Sequence, residues 1–267
     1  DYDKDLNRKN NTSTVLNWQW NLSRSLADSY LKSDGTPITE ADRTKTFVDM
    51  FTDRDPRMAE TIMYPGFINE GDNSTLPTKI VLDYGGLGQI KFLPRTDATY
   101  GGWGENITDL PIIRYAEILL INAEAKAELG ILTQNDLNAT VNLLRNRVEM
   151  PEMTMNVPID PALEALYPSV SGALKNVILE IRRERRVELA FEDHRFWDVR
   201  RWMIAEQEGV MSGAMYGIKI YWINSSPQEF RYTPYLYENR TFTKKMYLHP
   251  FSTNEVNKGY LIQNPGY

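Results

Sequence analysis

The chain has 267 residues, 42% of them hydrophobic and 25% charged, with a net charge of −6 and no cysteine. Such a composition suits a folded protein with one or two substantial cores and excludes a disordered chain. The acidic balance offers no general attraction to nucleic-acid phosphates. The missing cysteine excludes a disulfide scaffold, a cysteine metal cage and a thiol nucleophile.

The polar start "DYDKDLNRKNNTST" has neither a methionine nor a signal peptide, so the natural N-terminus is expected upstream, through processing or because the chain is part of a longer protein. "SRSLADSYLKSDG" predicts a short helix, with Ser23 at its N-cap and Gly35 beyond its end. "TEADRTKTFVDMF" predicts a second, opened by Thr39 and stopped near Asp55 by Pro56. Residues 63–109 change character: Gly, Pro, Asn and Asp dominate, yet aromatic and aliphatic side chains argue against disorder. An ordered loop insertion is expected there, with at most a small hairpin.

Residues 110–150 predict a helix hairpin. In "DLPIIRYAEILLINAEAKAELG", Pro111 suits a first helical turn, Ile112, Ala116, Leu119, Leu120, Ala123 and Ala127 form a stripe, and Gly130 ends the helix. "NDLNATVNLLRNRVEM" places Leu137, Val141, Leu144 and Val148 on one face of the return helix. The short turn and facing alanines resemble a tetratricopeptide unit. A long helix is expected over 171–207, and from Gly209 onward Tyr, Pro and Asn with runs such as "IKIYWI" predict strands and loops. No apolar run reaches the roughly 20 residues of a membrane helix, because the longest, at 112–121, carries Arg114 and Glu117. The fold class is therefore mainly α, with tetratricopeptide-like helix pairs, long irregular loops and a small β and loop C-terminal region.

Few residues stand out as catalytic. The chain has two histidines, His194 and His249, and no G-x-S-x-G, phosphate-binding P-loop or H-E-x-x-H pattern. His194 and Asp198 share a helix face, but two ligands are too few for a metal; no metal and no cofactor is expected. The segment "ERRVELAFEDHRFWDVRRW" mixes charge with rings. Its apolar positions (Ile178, Ile181, Leu189, Phe196, Val199 and Met203, widened by Val177, Val187, Ala190 and Phe191) predict a mostly buried helix. Arg185–Glu188, Glu192–Arg195 and Asp198–Arg201 are expected to pair along it and fix its register. The basic run at 182–186 is interleaved with glutamates, which again disfavours nucleic acid.

Rings in polar loops are better placed for binding. Trp18 and Trp20 in "NWQWN" and Tyr100 and Trp103 in "TYGGWGEN" are the candidate ligand-binding residues, with Tyr64 and Tyr84 in similar settings. An aromatic face stacks on the apolar face of a sugar while neighbouring amides and carboxylates bond its hydroxyls. The competing use of each ring is to pin its loop to the helical body.

Taken in order, "DRDPRMAETI", "IIRYAEILLINAEAKAELG", "LLRNRVEMP", "ILEIRRERRVELAFEDHRFWDVRRW" and the terminal "QNPGY" resemble the C-terminal half of the SusD/RagB family. The resemblance implies that residues 1–267 are the C-terminal part of a single domain whose N-terminal half is missing. It further implies a non-enzymatic outer-membrane nutrient-binding lipoprotein, exposed at the cell surface. Its partners would be a glycan, a SusC-like TonB-dependent transporter and the membrane itself, reached through a lipid anchor on the missing part. Peptide uptake by the same family and a tetratricopeptide-type adaptor are the alternatives, and a glycosidase would need two facing carboxylates.

Overall fold

The computed structural model describes residues 22–68, 87–92, 111–223 and 229–267, with 218–223 and 229–235 described by backbone alone. The architecture is mainly helical. In chain order come α1 (Arg24–Ala27), two 3-10 turns (Asp42–Thr44 and Asp49–Phe51), α2 (Arg57–Thr61), α3 (Tyr115–Glu128), α4 (Gln134–Asn138), α5 (Val141–Arg147), α6 (Pro161–Leu166), α7 (Lys175–Glu188) and α8 (His194–Arg201). A hairpin of β1 (Gly213–Ile223) and β2 (Glu229–Arg240) follows, then a 3-10 turn (Lys244–Tyr247) and α9 (Thr253–Asn257). The hairpin is antiparallel, with a register shift between Met215 and Tyr216.

The stripe of α3 is where periodicity places it: Ala116, Leu119, Leu120, Ala123 and Ala127 are buried. Pro111 does not open the helix, which begins at Tyr115 with extended Arg114 before it. Ile112, assigned to the same stripe by its spacing, is 90% exposed as a result. The far end closes as expected: Gly130 has φ +71, and Gly130 N and Ile131 N donate to Ala127 O and Lys126 O, a glycine-dependent Schellman stop.

The return segment forms two short helices rather than one. Thr133 and Asp136 make a capping box at α4. Thr140 then leaves helical geometry (φ −132, ψ −91) before α5 starts. Its hydroxyl bonds back to Asp136 O at 2.5 Å, a local competition that lets the chain turn there. The helix expected over 39–51 likewise resolves into two 3-10 turns, each organised by a threonine–aspartate pair, Thr39–Asp42 and Thr46–Asp49.

The segment read as one helix over 171–207 breaks into α7 and α8. Phe191 and Asp193 both take left-handed φ of 63°, which costs non-glycine residues about 1 kcal/mol or more each. Cations hold the break. Lys91 Nζ donates to Glu188 O (3.1 Å) and Ala190 O (2.9 Å), and Arg114 Nη2 to Glu188 O (2.6 Å). Carbonyls that a continued helix would use are thus satisfied from outside, and positive charge sits at the negative end of the α7 dipole. The kink also turns Phe196 and Met203 outward, so the stripe of the sequence reading ends at Val199.

α7 is the spine of the molecule. Ile178 and Ile181 belong to the main core with α3–α5, Tyr167, Val199 and Trp202. Val187 belongs to a second core with Tyr30, Phe47, Met58, Ile62 and Leu87. Met63, Phe67 and Ile90 form a third, smaller cluster.

Candidate functional site

The four residues singled out by sequence, Trp18, Trp20, Tyr100 and Trp103, lie outside the described residues, as does Tyr84. The described flanks of their segments meet at one place, residues 87–92. Leu22 N bonds Leu87 O (2.8 Å), Met63 N bonds Gly88 O (2.7 Å), and Ile90 N bonds Thr61 O (3.0 Å). Lys91 Nζ and Arg114 Nε, which bracket 93–110, hold the two oxygens of one carboxylate, Glu192, at 2.6 and 2.5 Å. The described flanks Lys91 and Arg114 are thus fixed against the α7–α8 break. Tyr64 does what a pinning ring does: it packs edge-on against buried Phe67, with centroids 5.7 Å apart.

The charges of α7 pair mostly across the fold, with Arg183–Glu180 (3.2 Å) an exception along the helix. Glu184 takes Arg57 (2.5 Å) and Arg145 (3.0 Å). Glu188 takes Arg57 (3.0 Å), Arg114 (2.8 Å) and Arg147 (2.9 Å). Arg185 binds Asp198 (2.7 Å) instead of Glu188, and Glu192 binds Lys91 and Arg114 instead of Arg195. Of the three pairs expected along the helix, Asp198–Arg201 is present, at 2.9 Å. Burial pushes the Glu184 carboxyl up, but Arg57 and Arg145 outweigh it and hold the group at about 2. Burial likewise lowers Lys91, against Glu192. His194 sits between Glu117 (3.6 Å) and Arg185 (3.4 Å), and Asp198 is committed to two arginines, so the pair is built into the scaffold. Among the described residues no group of three or more His, Asp or Glu side chains could hold a metal ion, and no helix is long and apolar enough to cross a membrane.

Two cavities open among the described residues. The larger, about 300 Å³, is lined by Lys32, Asp34, Asp42, Lys45, Asp53 and Arg54, with Ser33, Met50 and Thr52. Its carboxylates are preorganised. Asp42 accepts from Thr39 N and Oγ1, both at 2.8 Å, with Lys45 at 2.9 Å and Lys32 at 3.3 Å. The Thr39 amide first, then Lys45, holds its carboxyl far below the usual range. Arg54 is fixed by the carbonyls of Ala27 (2.7 Å) and Tyr30 (2.9 Å). Fixed carboxylates, ammonium groups and hydroxyls suit hydroxyl-rich ligands by hydrogen bonding. Sequence reasoning missed this cleft because its walls come from "LKSDG", "ADRTK" and "FTDRDP", which no motif connects. The smaller cavity, about 180 Å³, lies between α1, α6 and α7, with Arg182, Arg183 and Arg186 in its wall.

The described residues form a helical scaffold with cavities in its surface. Residues 1–267 match the family described as the SusD family, and the chain belongs to that family. It is similar to a SusD-like protein of Bacteroides fragilis, with a TM-score of 0.70, 29% identity, and coverage of 92% of this chain and 47% of that one. A SusD-like carbohydrate-binding protein of the same organism matches with a TM-score of 0.65 and 27% identity, covering 88% and 46% of the two chains. SusD-like protein P2 of Formosa agariphila is 37% identical over 97 residues, 36% of this chain and 17% of that protein. The chain spans about half the length of the solved structures it matches.

Proposed function

We propose that this chain is part of a cell-surface glycan-binding lipoprotein that delivers oligosaccharide to a SusC-like TonB-dependent transporter in the outer membrane, without catalysing a reaction. The observation that carries the reading is the match, across 88% of the chain, to a SusD-like protein described as carbohydrate-binding. Trp18, Trp20, Tyr100 and Trp103 supply the stacking faces in this reading, and the carboxylate-lined cleft of Asp34, Asp42 and Asp53 supplies hydroxyl partners. Ring stacking contributes about 1 kcal/mol each beyond area, so single ring losses weaken binding by roughly tenfold or less, and a double loss by about a hundredfold or less.

Affinity electrophoresis and calorimetry of the full-length protein against a polysaccharide panel test the reading, with W18A, W20A, Y100A and W103A alongside. Saturable glycan binding that the aromatic variants weaken supports it. Binding of peptides with no glycan retained would replace it with peptide uptake, and release of reducing ends would show an enzyme instead.

A further inference from the structure

α7 carries four arginines in one turn and a half, and three of them have carboxylate partners. Arg182 pairs with Glu128 (2.9 Å), Arg183 with Asp160 and Glu180 (3.2 Å for the latter), and Arg185 with Asp198. Arg186 has none among the described residues; its hydrogen bond goes to the hydroxyl of Ser25, at 2.8 Å. The acids in the cavity wall are already engaged: Asp28 is shared by Arg24 (3.5 Å) and Arg43 (3.2 Å), and Asp160 pairs with Arg183. Burial first, and then the neighbouring charge of Arg195, pushes Arg186 down to about 9. Arg186 is half-buried, and a partly desolvated cation beside another cation is unfavourable unless an anion completes it.

The cavity provides the space. Arg186 lines it with Ser25, Arg43 and the acids Asp28 and Asp160, and one side is apolar, from Leu163 and Tyr167. Arg182 is 6% exposed, and its guanidinium lies against both Tyr167 (5.0 Å) and Trp202 (4.9 Å). Its Nε and Nη1 have no hydrogen-bond acceptor among the described residues. A volume of about 180 Å³ corresponds to roughly six waters of liquid, enough for a small oxyanion or for one sugar ring bearing an acidic group.

We propose that the cavity between α1, α6 and α7 is an oxyanion site, in which Arg186 and Ser25 bind a carboxylate or sulfate group and the apolar wall accepts the body that carries it. The site is distinct from the cleft at Asp42 and does not depend on the glycan reading.

Titration calorimetry of the full-length protein at constant ionic strength, with sodium sulfate and separately with sodium glucuronate, tests it. At least one anion binds saturably at a single site. Its affinity falls about tenfold or more in R186Q, as expected for losing a charge-assisted hydrogen bond, and a few-fold in S25A, which retains the charge. Glucuronate alone would identify an acidic sugar as the occupant, and sulfate alone a free oxyanion. Glucose is the control: any binding it shows is unchanged in R186Q. If R186Q does not fold, S25A still decides. Absence of saturable binding by both anions, or affinities unaltered in the variants, overturns the site.

Discussion

Replacing Glu184 by Gln tests the ion-pair spine most directly, because it removes a charge and almost no volume. Glu184 is 2% exposed and lies between Arg57 and Arg145, 2.5 and 3.0 Å away. Breaking a buried pair typically costs about 3–5 kcal/mol, since the opposite charge stays buried. Here Arg57 keeps Asp55 and Glu188, and Arg145 keeps Glu180, so the lower end applies, about 3 kcal/mol. Linkage gives the same size. A carboxyl held at about 2 instead of 4.5 corresponds to roughly 3 kcal/mol at 1.36 kcal/mol per unit. The folded-state value is depressed, so this stability is fully present above pH 4.5 and is lost as pH falls toward 2. Urea titrations of the full-length protein from pH 7 to pH 2.5 measure both effects. E184Q should lose about 3 kcal/mol at pH 7, a midpoint shift near 1 M for an m-value of about 3 kcal/mol/M. The gap to wild type should narrow below pH 4.5. A difference under about 0.5 kcal/mol at pH 7, or a gap independent of pH, refutes the claim that Glu184 is held by these arginines.

The other expectations concern neighbouring joints. E188Q withdraws the carboxylate shared by Arg57, Arg114 and Arg147 and should lower the melting temperature by several degrees; an unchanged value would mean the charges of α7 do not fix its seating. E192Q leaves Lys91 and Arg114 without their common partner, so amide exchange at Lys91, Phe92 and 189–193 should accelerate at least tenfold while that of α3 stays slow; uniform protection would count against the clasp. G130A introduces a side chain at φ +71 in open space and should cost about 1 kcal/mol from backbone strain alone, measured by chemical unfolding. W202F deletes the indole N–H that meets Glu124 at 2.6 Å and should cost about 2 kcal/mol, as for other hydrogen bonds to buried charge; no loss would place Glu124 on Arg201 alone.

What the sequence could show depended on the range of the interaction that set it. The α3 stripe and its glycine stop are legible because period and capping are local. The mainly helical class and the family resemblance were legible for the same reason, through motifs kept in order. The kink at 189–193 was not, because the groups that stabilise it, Lys91 and Arg114, lie 75 or more positions away and mark no pattern beside Phe191. Pairing failed likewise. Helix spacing nominated Arg185–Glu188, whereas the fold supplies Arg57 to Glu188 across 131 positions. The clefts are composed in the same way, from residues such as Lys32, Asp42 and Asp53 that look like ordinary loop polarity until the 3-10 turns bring them together.

The charged segment "ERRVELAFEDHRFWDVRRW" thus acquires a reason for its charge that apolar packing could not supply. An all-apolar helix would bury as well, and replacing buried ion pairs with matched apolar groups is often neutral or stabilising. Apolar contacts, however, do not distinguish among the partners that press on a spine from several sides. Each acid here holds a particular set of cations at fixed positions, with Arg57 and Arg114 shared between neighbours: Glu184 takes α2 and α5, Glu188 adds the base of α3, and Glu192 joins Lys91 to Arg114. The directional bonds set where each loop leaves the scaffold, and a binding surface made of loops inherits its shape from those departure points. Arg186 is the α7 arginine this scheme leaves without an acid among the described residues, and in the cavity wall it bonds the hydroxyl of Ser25. An arginine spared from the scaffold is available to a ligand, which is the sense in which the helix is structural along most of its length and chemical at one place.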